Sequence, residues 1–139
     1  MELTLQLIVA TLLIIMVTII HGTGITLSGK LFNYEKMELK ERRLAFRELY
    51  LMVPMALLLF TLHAIEIGVF AAFYLIVGAI GTLEEALFVS ASSYTTLGHT
   101  EYIANEWRLV GAFEGLAGFL MIGWSAAVFV SDMDKVLRR

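Results

Sequence analysis

The chain has 139 residues, 59% of them hydrophobic and 17% charged, with a mean hydropathy of +0.81. That is more apolar surface than a water-soluble domain of this length needs for its core, so a lipid bilayer is the expected partner. A net charge of -3, from 10 basic and 13 acidic residues, excludes a polybasic nucleic-acid surface, and with no cysteine there is neither a thiolate metal site nor a cysteine nucleophile.

Leu3 to Leu27 is apolar apart from Gln6, His21 and scattered threonines and glycines. At about 1.5 Å per residue it can cross a hydrocarbon core of about 30 Å, which makes 1–28 the first transmembrane helix. It outlasts a signal-peptide core and no basic stretch precedes it, so it is expected to stay in the mature protein. His21 then falls near the inner interface. Residues 29–47 follow as a charged connector, with Lys30, Lys36, Lys40, Arg42, Arg43 and Arg47 interleaved with Glu35, Glu38 and Glu41 at helical spacing. A solvated interfacial helix is the expectation there.

Glu48 to Gly81 is a second apolar run, longer than one perpendicular span needs, and it is expected to break near Gly78 and Gly81, with a modest kink at Pro54. Trp107 to Val130 makes a third span, and 132–139 a short tail. Six basic residues lie in the connector and three in the tail, on one side of three spans, against Arg108 alone on the other. The positive-inside rule therefore puts connector and tail in the cytoplasm, with Met1 and the stretch from Thr82 to Glu106 outside. A bacterial inner membrane suits so short a helical chain.

Between the second and third spans, Leu83 to Tyr94 reads as a helix of about 18 Å, too short to cross the bilayer but long enough to dip halfway. Thr82 and Glu85 have capping-box spacing, and Glu84 adds favourable charge at the helix start. Its negative end then points into the membrane, where it favours a cation. The chain must return as non-helical backbone, which is tolerated only where it lines a water-filled path.

The returning segment, Thr96-Leu97-Gly98-His99-Thr100, resembles the filter loop of potassium channels, whose backbone carbonyls replace the ion's hydration shell. Thr96 falls on the filter threonine, Leu97 on the valine, Gly98 on the first glycine, His99 on the aromatic residue and Thr100 on the second glycine; Glu101 takes the place of the aspartate that follows. The likeness covers roughly Phe60 to Val130, with Trp107-Arg108-Leu109 and Gly123-Trp124-Ser125 in its last helix. It implies an all-α membrane protein: three transmembrane helices, with a re-entrant pore helix and filter loop in a pore domain over 48–131. It also implies a homotetramer, passive conduction of potassium or sodium with a monovalent cation held at Thr96, Leu97 and Gly98, no cofactor and no enzymatic activity. Gly118 and Gly123 become gating-hinge candidates, beside plain helix packing; Gly111 and Gly115 form a small-residue face that lets helices approach closely.

The chain departs from the pattern at two positions. Thr100 is β-branched where glycine is usual, so either the outer filter widens or partners such as Glu101 hold the strain. His99, with an ordinary pKa of about 6.5, could make the outer site respond to pH. Weakened selectivity follows, and the alternative function is a non-conducting assembly or signalling module.

His63, Glu66 and Glu114 are ionisable residues in apolar runs. Counted from the span ends, all three land at the depth of the pore helix, and buried charges in membranes are costly and usually paired. A polar cluster that supports the filter is expected, with Ser92, Ser93 or Tyr94 as partners. The same count puts His21 and His63 near opposite faces, which argues against a haem between them. A membrane enzyme or metal site built from His63, Glu66 and Glu114 finds no supporting nucleophile or spaced ligand set.

Overall fold

A computed structural model describes residues 3–40, 47–98 and 100–137. Among them the order is α1 (Leu3–Lys40), α2 (Arg47–Ile76), α3 (Leu83–Tyr94), single 3-10 turns at Thr100–Tyr102 and Asn105–Trp107, and α4 (Arg108–Leu137), with no strand. Three stretches are long and apolar enough to cross a membrane: Leu3–Lys30, Leu49–Ile76 and Asn105–Asp134. The chain is thus an all-helical protein with three candidate spans.

Two charged stretches continue the helices that precede them. No separate interfacial helix begins at Gly29, because α1 continues without a break through the charged stretch to Lys40. Glu and Lys at helical spacing support the helix they already belong to, and nothing in the sequence from Gly29 to Lys40 stops it. Residues 41–46 lie outside the described residues. Likewise the tail from Asp132 onward is the last part of α4, which runs to Leu137.

The helices form one bundle. His21 meets Glu66 while Gly24 meets Leu62, so α1 and α2 run antiparallel. Gln6 lies near Arg108 and His21 near Ser125, so α4 runs parallel to α1. One apolar core, including Val17, Phe70, Tyr74, Val89 and Val110, fills the end nearer the start of α1. A second, of Leu51, Met55, Leu59 and Met133, fills the other end. The outward faces carry Leu12, Ile19, Leu57, Phe60, Phe119 and Val130, as a bilayer requires.

Helix ends are set locally. After Ile76, Gly78 takes φ 68°; its N–H bonds to the Leu75 carbonyl, and the Ala79 N–H to the Tyr74 carbonyl at 2.8 Å. That is the paired bonding of a Schellman turn, with glycine in the left-handed position where no Cβ opposes it. α2 runs unbroken through Pro54 and stops here, where the sequence predicted a break. α3 starts with the Thr82 hydroxyl accepting from the Glu85 N–H at 3.3 Å and donating to Glu85 Oε2 at 3.0 Å. Its inner face is serine-rich, with Ser90, Ser92 and Ser93 buried, whereas Leu83, Leu87 and Phe88 are exposed.

Glycines on α4 let α3 come close. A Cβ at Gly115 would lie 3.0 Å from the Ser93 carbonyl oxygen, and one at Gly118 would overlap the carbonyl of Tyr94. Gly123 has open space around it. Gly118→Ala should therefore cost about 1–3 kcal/mol through overpacking against backbone. Gly123→Ala should be neutral or stabilising by up to about 1 kcal/mol. Thermal unfolding of the two variants in detergent separates them; equal effects would show that the contact at Gly118 does not matter.

Candidate functional site

Between the two apolar cores lies a buried polar cluster drawn from all four helices. His63 and Glu66 are three apart on α2 and share a face. His21 reaches them from α1, Tyr94 from the last turn of α3 and Ser125 from α4. His21, Glu66 and Tyr94 are fully buried.

Glu66 is the hub. His21 Nδ1 donates to its Oε1 at 2.8 Å, and the Tyr94 hydroxyl donates to its Oε2. His63 Nδ1 lies 2.9 Å from the Tyr94 oxygen and 3.5 Å from Glu66 Oε2. With the phenol proton given to Glu66, the imidazole must be the donor to the phenol oxygen, which sets the Nδ1–H tautomer of His63. His21 Nε2 lies 3.4 Å from Ser125 Oγ. The rings of His21 and His63 are 5.4 Å apart, and Trp124 stands against His21 at 5.1 Å.

The expected depths of His63 and Glu66 are compatible with these contacts, and Tyr94 is the partner. His21 is not interfacial. Because α1 runs on to Lys40, His21 sits roughly 28 Å from the far end of that helix and His63 roughly 24 Å from the start of α2, so they are level. The depth mismatch expected to keep them apart does not exist. His21 belongs to the buried stripe of α1, with Ala10, Leu13, Val17 and Ser28.

Glu114 has a different set of partners. The Tyr74 hydroxyl donates to its Oε2 at 2.6 Å, and Ser90 Oγ lies 2.5 Å from Oε1 and 2.8 Å from the Ile67 carbonyl. Ser92 and Ser93, the serines expected in the cluster, are buried but are not its ligands. Two carboxylates thus have separate partners, reached from Ser90 and Tyr94, one turn apart on the same face of α3.

The proposed filter residues follow immediately. Thr95 caps α3, Thr96 takes φ 65°, and the N–H groups of Thr96 and Leu97 bond back to the carbonyls of Ser93 and Ser92. This is a second Schellman turn, with a β-branched residue where Gly78 served before. Thr95, Thr96 and Leu97 are exposed, and Gly98 has φ 98°. His99 lies outside the described residues. Thr100 and Glu101 belong to a 3-10 turn, Glu101 exposed, with Thr100 and Ile103 packed over Gly111. Among the described residues of the segment, Thr96 and Leu97 close a turn and Thr100 opens a short helix. Ala104 then donates to the Ala79 carbonyl at 3.3 Å, which brings the chain back to the end of α2.

Compared with known proteins, the chain matches no family model, no curated protein and no solved structure. The fold and site define a helical protein with three candidate membrane spans and a buried histidine–carboxylate centre.

Tyr94→Phe keeps the ring but leaves Glu66 Oε2 without its phenolic donor and His63 without its acceptor. A stability loss of about 1–3 kcal/mol is expected, the penalty for a buried polar group short of a partner. In a double-mutant cycle with Glu66→Gln, the two losses should sum to more than the double variant loses; strict additivity would mean the contact carries no coupling.

Proposed function

We propose that the chain is one subunit of a pore-loop cation channel, with Thr96, Leu97 and Gly98, then His99 and Thr100, along the conduction path. The observation that carries this is the exposed polar turn at the end of α3. Tyr94, just before it, bonds to Glu66, roughly 15 Å back along α2 from Ile76. If α2 spans the bilayer, Thr95 to Leu97 sit near its middle, with no strand or helix of their own to satisfy their carbonyls. Lipid cannot hydrogen-bond such backbone, so it must face protein or a water-filled path.

A ring of identical chains supplies both, and the same dipole that makes the end of α3 negative favours a cation there. Four copies are proposed by the resemblance, with potassium or sodium as the permeant ion, α3 re-entrant from the outer side, and the basic ends of α1 and α4 in the cytoplasm. His21, Glu66 and Tyr94 then form a support that fixes the depth and rotation of α3. Glu114 does the same from α4 through Ser90, one turn earlier.

The non-conducting alternative draws on one observation. The turn at Thr96 and the 3-10 helix from Thr100 do not present an extended row of carbonyls. Such a chain would keep the pore-loop scaffold for assembly without passing ions.

Reconstituted protein should carry potassium and sodium with weak discrimination. Because the chain has no cysteine, Leu97→Cys offers a single thiol, and a cationic water-soluble thiol reagent should block flux through that variant and not through wild type. Flux insensitive to the reagent would place the path elsewhere. No flux from folded, oligomeric wild-type protein would leave the assembly module as the reading.

A further inference from the structure

We infer that His21, His63 and Glu66 form a binding site for a first-row divalent transition metal, of the zinc type, that clamps α1 to α2. Nothing in this depends on whether the chain conducts ions.

One ligand atom from each of the three residues lies within 4.8 Å of the others. Tetrahedral zinc with bonds of about 2.0–2.1 Å sets its ligand atoms about 3.3 Å apart. His21 Nδ1 lies 2.8 Å from Glu66 Oε1 and His63 Nδ1 3.5 Å from Oε2 of the same carboxylate, close to that value on either side. Closing the set brings ligand atoms that now lie within 4.8 Å of one another to that spacing. Two imidazoles and one carboxylate are a donor set that suits zinc and its neighbours and not calcium or magnesium, which require oxygen. The Tyr94 oxygen, 2.9 Å from His63 Nδ1, is at hand as a fourth ligand.

Metal binding at Nδ1 displaces the proton that His21 now gives to Glu66, and an outer partner for the other nitrogen is in place. When Nδ1 of His21 binds the ion, its proton resides on Nε2, and Ser125 Oγ stands 3.4 Å away to accept it. A ligating histidine oriented by a hydrogen bond from its other nitrogen is the usual outer shell of such sites. Charge balance points the same way. Glu66 is wholly buried, and a carboxylate withdrawn from water is stabilised by a cation at its oxygens. His63, with its side chain 18% exposed, is the least buried of the three.

The test uses full-length protein without a histidine tag, stripped with chelator, then titrated with zinc and measured for bound metal after dialysis. One zinc per chain is expected, with a higher unfolding temperature. His63→Asn and Glu66→Gln should each weaken binding at least tenfold, while His99→Ala should leave it unchanged. X-ray absorption at the zinc edge of loaded wild-type protein needs no substitution to fold, and should show a nitrogen and oxygen shell with two imidazoles. No binding by folded wild type, binding retained in both site variants, or a shell without two imidazoles would each overturn the site.

Discussion

One buried carboxylate sets the arrangement of this bundle. Glu66 takes a hydrogen bond from α1 through His21 and another from α3 through Tyr94, while His63 on its own helix braces the phenol. An apolar helix in lipid has little preference for one rotational setting over another, since neighbouring side chains and lipid tails are equally apolar. A carboxylate with directed donors removes that freedom. Each donor comes from a fixed point on its helix, so meeting all of them fixes the register of α1 and the depth of α3 together.

Close backbone contact does the complementary work on the other side of α3. The carbonyls of Ser93 and Tyr94 lie where side chains of Gly115 and Gly118 would otherwise be. Glu114 then binds Ser90 one turn earlier. α3 is held by polar contacts from two successive turns of one face and by the absence of bulk behind it, while Leu83, Leu87 and Phe88 face outward. Serines in and leucines out is the reverse of the usual pattern of a helix packed in water.

Features with local causes were legible in the sequence. Thr82, Glu84 and Glu85 mark the start of α3, and its bounds match those expected from the sequence; Gly78 marks the end of α2. His63 and Glu66 could be located because they lie on one helix whose start was read correctly. His21 could not. Its helix is apolar all round, so no amphipathic period showed which face packs inward. From Gly29 to Lys40 the charged stretch also reads as a separate element, whereas it continues α1. The left-handed Thr96 was hidden for another reason: a β-branched residue is the one least expected there, and only the surrounding bonds to Ser92 and Ser93 impose it. The housing of Glu114 depends on Tyr74 and Ser90 from two different helices, a juxtaposition that chain order does not encode.

The continuity of α1 has a mechanical meaning. From Leu3 to Lys40 it is a single rod, of which Leu3–Lys30 is the candidate membrane span and the rest extends past it. Successive residues of a helix differ by about 100° in direction. A turn of the rod by that much, applied anywhere along it, would swing His21 off Glu66 and bring Gly22 or Ile20 to the carboxylate instead. The protruding end and the buried centre therefore report on each other: whatever grips the former feels the torsional stiffness of one hydrogen-bonded histidine near the middle of the bundle.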